Sequence, residues 1–320
     1  MPSHKGSLQF WQKRRARGRL PRLRSAPEYI TKLTITNIVG YKVGMAHAGM
    51  IDDSESPTKN MEVSVPCTYI EVPETYIYGA RFYSKDSNNY VKVSTEVYHK
   101  ETADKFGIKI KHPATFESIG KRLGEFTNVT ALLVSNPKST STGQHHKVRF
   151  ESSLGGASVE EKFKFISEMA GKRVHLSEMF KNGEYVDISS VSTGKGWQGT
   201  IKRFGTARMP HKATQKVRHT AALGSFGMGR VIYTIPQAGQ MGFNYRTDYN
   251  KRILKMGSAA SDKVNPSSGF MHYGNIKGEY VMLAGSIPGP SKRLVRIRVS
   301  VTDRNKVGIK EPKITYMSQV

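Results

Sequence analysis

Residues 269–303 read GFMHYGNIKGEYVMLAGSIPGPSKRLVRIRVSVTD. Short apolar runs alternate there with Gly and Pro turns, the pattern of a small barrel or a multi-stranded antiparallel sheet. LVRIRVSV, residues 294–301, is the clearest strand. Leu294, Arg296 and Arg298 fall on one phase and Val295, Ile297, Val299 and Val301 on the other, so one face is apolar and the other starts basic.

Working outward, strand-like runs recur near the N-terminus. KLTITNIVGYKVGMAHAGMID, residues 32–52, alternates and is punctuated by Gly40, Gly44 and Gly49, which suggests strands joined by tight turns. A polar loop follows from Asp52 to Asn60. MEVSVPCTYIEV (61–72) gives a further strand or pair, in which Pro66 implies an edge or a bend, and TYIYGARFYSK (75–85) is again strand-like. Strands at both ends of the chain, separated by long insertions, suggest a barrel closed by pairing early segments with late ones. No repeat of fixed period stands out.

Residues 97–183 have a different texture and read as an α/β insertion in this β body. Phe116, Ile119, Leu123 and Phe126 stand at helical spacing, and NVTALLVSNP (128–137) reads as a short buried strand. SVEEKFKFISEMA (158–170) opens with Ser158 as a helix cap and Glu161 three residues on, a capping box. Between them, His145 and His146 sit in a polar loop, where a solvated or phosphate-contacting role outweighs metal binding.

The long stretch before residue 269 cannot build a core of its own. From Gly194 to Met256 it carries twelve Lys and Arg against one acid, Asp248, with abundant Gly and no surviving helical or strand period. Trp197, Phe204, Phe226, Tyr233, Phe243, Tyr245 and Tyr249 are interleaved with the cations. Phosphates would release condensed counterions to such a stretch, and Gly would allow close approach and stacking. Gly194, Gly196 and Gly199 spell G-x-G-x-x-G, but no apolar helix and no ribose-binding acid follow, as a dinucleotide site requires. A Walker loop fails too, for want of Ser or Thr after Lys195. A glycine-rich turn leaving a strand, its backbone close to phosphate, is the reading that remains.

The net charge of +25 over 320 residues is unevenly spread. Residues 1–24 hold eight cations and no acid, so a nearly neutral folded body with two basic extensions is the economical picture. The first, residues 1–28, reads as an extended arm, disordered without its partner, with Phe10 and Trp11 as stacking groups. Cys67 is the only cysteine, which excludes internal disulfides and a Cys-based zinc site and fits a reducing compartment. No 18-residue apolar run and no apolar leader segment occur. An enzyme of nucleic-acid chemistry would need carboxylates, a metal cluster or an activated nucleophile near the basic surface, and the acids are absent there. Asp248 reads as a neutraliser of Arg246 or Arg252. A DNA-binding protein is the other rival, since counterion release does not separate DNA from RNA.

GSLQFWQKRRARGR (6–19), GYKVGMAH (40–47), TGKGWQGTIKRF (193–204), GQMGFNYRTDYNKRILKMG (239–257) and HYGNIKGEYVMLAGSIPGPSKRLVRIR (272–298) occur in the order of one known family. The chain resembles ribosomal protein L3, a universal large-subunit family, in its archaeal and eukaryotic form. The resemblance covers nearly the whole chain and implies a mainly β fold: a translation-protein-type β-barrel with an α/β insertion, a basic N-terminal arm and a long basic central loop. The corresponding division is 1–28 arm, 29–96 first barrel part, 97–183 insertion, 184–204 barrel strand and Gly-rich turn, 205–238 rRNA-penetrating extension and 239–320 second barrel part. The implied role is non-enzymatic and cytoplasmic. It comprises binding large-subunit rRNA, supporting early assembly beside neighbouring ribosomal proteins, and extending a loop toward the peptidyl transferase centre, with no cofactor, membrane or small-molecule substrate. The rRNA-binding residues expected are Trp11, Lys13, Arg14, Arg15, Arg17 and Arg19 in the arm, and Lys195, Trp197, Lys202, Arg203, Lys212, Lys216, Arg218, Phe226, Arg230, Arg246, Lys251 and Arg252 in the central stretch. At the tip this chain reads GSFGMGR where the family carries a Trp followed by His and Pro.

Overall fold

The computed structural model describes residues 14–27, 29–109, 116–156, 158–212, 217–218, 223–224, 227, 229–302 and 309–318. Among them the chain forms β1 (Asn37–Ile51), β2 (Glu62–Val72), β3 (Glu74–Lys85), β4 (Val91–Tyr98), α1 (Lys100–Lys105), α2 (Phe116–Gly120), β5 (Asn128–Asn136), β6 (Val148–Ser153), α3 (Val159–Met169), β7 (Arg173–Val174) and α4 (Leu176–Met179). There follow β8 (Tyr185–Val191), β9 (Trp197–Gln198), α5 (Thr200–Phe204), β10 (Gly239–Gln240), β11 (Tyr245–Ser258), β12 (Glu279–Ala284), β13 (Leu294–Val299) and β14 (Ile314–Met317). No helix among the described residues is long and apolar enough to cross a membrane.

The larger sheet runs β13-β8-β11-β12-β2-β1 and closes on itself, because β1 also pairs with β13, from Asn37 opposite Arg298 to Tyr41 opposite Leu294. The early strand thus meets the late one, as the alternating runs at the two ends of the chain suggested. β14 extends the ring along the second half of β1. Ile70, Ile188, Ile253, Val281, Leu283 and Ile297 are buried in its core.

The glycines of residues 32–52 do not make turns. β1 is one strand of 15 residues with a register shift between Lys42 and Gly44. A side chain at Gly40 would lie 2.5 Å from Cγ2 of Ile70, and one at Gly44 3.1 Å from Cδ1 of Phe270. These glycines are there for close approach of neighbouring groups, not for a left-handed backbone. Pro66 matches its expected edge position. Its carbonyl accepts from Gly285 N (2.7 Å) just where the β12 ladder has ended at Ala284, so the missing N–H falls on an open side.

A second antiparallel sheet, β4-β3-β5-β6 with β7 beside β3, carries α3 on one face. Phe82 packs against Phe126 (4.8 Å between ring centroids) and Phe163 (5.9 Å) there. β3 and β4, read from sequence with the first part of the barrel, hydrogen-bond into this sheet instead, and the chain changes sheets at Pro73. The expected helix through Phe126 is broken. α2 stops at Gly120, and a 3-10 turn at Leu123–Glu125 still delivers Phe126 to the core. Gly120 and Gly124 disfavour a continuous helix. α3 is capped as its sequence indicates, Ser158 Oγ accepting from Glu161 N (3.2 Å).

The basic side of β13 is not a surface. Arg296 and Arg298 are 8% and 2% exposed. Arg298 pairs with Asp187 at 2.7 Å and also donates to the carbonyl and hydroxyl oxygens of Ser25. Asp187 accepts two further bonds, from Asn250 N and Val301 N, each 3.0 Å. Arg296 donates to Asn37 Oδ1, Pro21 O and Glu151 O, and burial pushes its guanidinium down to about 10. Alternation revealed the strand, while the covering segment came from residues 21–25, too far away in sequence for periodicity to show.

Asp187→Asn leaves Arg298 buried without its counter-charge and should cost about 3–5 kcal/mol in urea denaturation. Lys92→Gln, breaking the exposed Lys92–Asp86 pair, should cost no more than about 1 kcal/mol. Equal effects of the two would contradict the assignment of Asp187 as a buried anchor.

Candidate nucleic-acid interface

The central stretch leaves and re-enters the barrel through a narrow neck. Ser192 N donates to Asn244 O (2.9 Å) and Ser192 Oγ accepts from Asn244 N (3.2 Å). Lys195 N then donates to Met241 O (3.0 Å) and Met241 N to Gly196 O (2.9 Å). β9 and β10 follow as a two-residue ladder, with Trp197 opposite Gln240 and Gln198 opposite Gly239. At Gly242, φ is 71° and a Cβ would stand 2.0 Å from Thr193 O, so only glycine lets the two strands meet.

The G-x-G-x-x-G run therefore folds into a hairpin neck and not into a cofactor cradle. The helix after it, α5, spans five residues and carries Lys202 and Arg203 in its last turn, ending at the left-handed Gly205. Arg203 reaches from α5 to the returning strand, where Nη1 donates to Gln237 O (2.8 Å). A Cβ at Gly239 would lie 2.6 Å from that nitrogen. Arg203, expected on phosphate, clasps the two sides of the neck, and burial lowers its pKa.

The N-terminal segment lies against this neck. Asn244 Nδ2 donates to Arg14 O (2.9 Å), and Ala16 N donates to Phe243 O (2.7 Å). The hydroxyl of Tyr245 accepts from Gly18 N (3.3 Å) and donates to Gly18 O (3.1 Å). Within the expected arm, residues 14–18 are held by their backbone, which leaves the side chains of Arg14, Arg15, Arg17 and Arg19 exposed. Beside them Arg293, which sequence reading passed over, rides 5.2 Å from the Phe243 ring. Burial and the nearby Arg19 lower its pKa. Lys195 and Trp197 on the neck are exposed too, the latter by 76%.

The remaining expected residues divide. Lys202, Lys212, Arg218 and Arg230 are exposed along the extension, while Trp11, Lys13, Lys216 and Phe226 lie outside the described residues. Arg246 is half-buried and donates to Tyr245 O (3.0 Å). Lys251 stands 3.8 Å from Asp248. Arg252 is committed to the fold, donating through both terminal nitrogens to Asp53 (2.7 and 2.5 Å) and to Lys310 O (2.9 Å). Asp248 thus faces Lys251, and it is Asp53, across the barrel end, that neutralises Arg252. Among the described residues no group of three His, Cys, Asp or Glu side chains gathers as metal ligands.

The family model for ribosomal protein L3 matches residues 1–114 and 92–319. The chain is similar to the large ribosomal subunit protein uL3 of Methanothermobacter thermautotrophicus, with 40% identity covering 98% of this chain and 96% of the relative. It is similar also to the protein of that name from Methanobrevibacter smithii, at 39% identity with the same coverage, and from Methanocaldococcus jannaschii, at 36% identity covering 98% and 95%.

The Arg252 hydrogen bonds hold the Asp53 carboxyl below the usual carboxylate range. The stabilisation they give is complete above the unfolded value of about 3.9 and is lost as pH falls through the lower folded value. The urea midpoint gap between wild type and Arg252→Gln should therefore narrow below about pH 4. A gap independent of pH would rule this linkage out.

Proposed function

The chain belongs to the ribosomal protein L3 family, and from that membership we propose that it is a structural constituent of the large ribosomal subunit, cytoplasmic, that grips large-subunit rRNA with the face shared by its arm and neck. The family is one of structural proteins, not enzymes. The observation that carries the reading is the seam of residues 14–18 along residues 243–245. It brings two basic segments, more than two hundred residues apart in sequence, onto one face. The arm contributes only backbone groups to the seam, so its guanidinium groups are left for phosphates. The neck fixes where the extension departs, and Lys202, Lys212, Arg218 and Arg230 along it, with Lys216, track the RNA backbone inward. Residues 205–238 thereby reach toward the peptidyl transferase centre, and a contact surface of this extent acts early in subunit assembly, beside neighbouring ribosomal proteins.

Each phosphate contact contributes roughly 0.7 to 0.9 to the slope of log affinity against log salt. Replacing Arg14, Arg15, Arg17 and Arg19 together by Gln should lower the slope for large-subunit rRNA by about 3. Binding to duplex DNA at matched salt should be weaker throughout. An unchanged slope would place the interface elsewhere.

Phe226, in the Gly-flanked tip, is the stacking group of the extension in this reading. Stacking on an unpaired base is worth about 1–3 kcal/mol, whereas incorporation is shared among many phosphate contacts. Phe226→Ala should therefore leave incorporation into the large subunit intact while changing aminoacyl-tRNA binding or drug sensitivity at the peptidyl transferase centre. Normal behaviour in both assays would reduce the tip to a passive plug.

A further inference from the structure

The second sheet carries another group of cations, built on aromatic rings. Arg149 on β6 stands opposite Val134 on β5, which stands opposite Tyr76 on β3, so the three share one row on one face. α1 and the residues after it cover part of that face. Tyr78, Leu132 and Val134 pack there with Ala103, Phe106 and Ile108, and the rings of Tyr76 and Phe106 meet at 5.3 Å. Two ammonium groups flank these rings. Lys105 Nζ lies 4.8 Å from the centre of Tyr76 and 5.8 Å from that of Phe106. Lys147 Nζ lies 5.1 Å from the centre of Phe106. Lys147 precedes Arg149 by two residues in sequence and so faces the same way. Immediately before it come His145 and His146, both exposed, the pair left over from the sequence reading.

The acids of the sheet nearest this group are already engaged, and Glu101 and Asp104 of α1 form no ion pair with Lys105. Glu151, two residues beyond Arg149, accepts from Arg81 (2.7 Å), Thr130 (2.6 Å) and Tyr83. Glu74 is paired with Arg173 at 3.5 Å. Among the described residues Lys105, Lys147 and Arg149 have no carboxylate partner. A ring face beneath an ammonium both attracts it and limits its wandering. The result is a set of positioned, unneutralised cations on a sheet other than the one that bears the neck.

We propose that this face, with Lys105, Lys147 and Arg149 at its centre, is a second contact with the rRNA phosphate backbone, independent of the arm and neck. It rests on the rRNA-binding reading above and adds to it a separate RNA segment. Phosphates fit better than an acidic protein surface because the cations have no apolar rim around them: Lys105, Arg149, His145 and His146 are all exposed and the neighbouring rings are already packed.

The test uses the full chain and a large-subunit rRNA transcript from a methanogenic archaeon. One variant combines Lys105→Gln, Lys147→Gln and Arg149→Gln, and the other neutralises Arg14, Arg15, Arg17 and Arg19. Salt titrations and hydroxyl-radical footprints are read for both. The expected result is a slope lower by about 2 for the sheet variant, with loss of protection at an RNA segment that the arm variant still protects. If the arm variant responds and the sheet variant keeps wild-type slope and footprint, the second contact is overturned and an acidic protein neighbour becomes its partner. If neither variant responds, the rRNA reading itself fails.

Discussion

The buried pair between Asp187 and Arg298 is the constraint on which the rest of the structure hangs. Two ions in a closed barrel wall are costly unless every lone pair and proton is met. Asp187 is met by Arg298, Asn250 N and Val301 N, and the two terminal nitrogens of Arg298 by Asp187 and Ser25, while its buried Nε has no hydrogen-bond partner among the described residues. These partners come from β8, β13, the middle of β11, the chain after β13 and the N-terminal segment. A single carboxylate thereby fixes how the barrel closes and where residues 21–25 lie. Residues 14–18 continue from that anchored run to the neck, so the cationic face inherits its position from a charge pair that never touches solvent.

The same carboxylate explains the irregularity of β11. Its register with β8 shifts between Asp248 and Lys251, and Asn250 takes a left-handed φ of 55°. Asn tolerates that conformation better than most residues. The turned backbone sends Asn250 N to Asp187, and the Asn250 side-chain oxygen accepts from Ser300 and Thr302. Tyr249, next to it, is left 59% exposed on the outside. Glu71 works similarly at the junction with the second sheet. It is fully buried and accepts from Lys277 N, Gly278 N, Ser141 N and the hydroxyl of Tyr273, whose pKa burial and this neighbour raise.

What was legible in the sequence followed from local rules. Alternation in 294–301 and the cap at Ser158 each translated into the expected structure, because each depends on near neighbours in the chain. What was not legible depends on distant ones. Gly40 and Gly44 look like turn residues until Ile70 and Phe270 are placed against them. Arg252 looks like a phosphate ligand until Asp53, some two hundred residues away, is brought to it. Arg296 and Arg298 read as a basic surface because Pro21 and Ser25 carry no sequence mark of lying over them.

These misreadings share a physical cause, which also sorts the cations. A guanidinium or ammonium inside the fold must be met at once: Arg81 by Glu96 and Glu151, Arg173 by Glu74 and Glu279, Arg252 by Asp53, and buried Lys42 by the carbonyls of Ile287 and Gly289. With 25 acids against 50 Lys and Arg, the fold cannot do this for all. Cations inside the fold are met by acids or by carbonyls, and many of the unpaired ones lie in the arm, the neck, the extension and the open face of the second sheet. Repulsion among those unmet charges opposes the compact arrangement of the free chain. The seam at residues 14–18 resists it with hydrogen bonds from the arm's backbone to Phe243 O and to the neutral side chains of Asn244 and Tyr245, none of which uses the charged side chains beside them. The cationic face is therefore laid out by the chain's own hydrogen bonds, against the repulsion of the charges it carries.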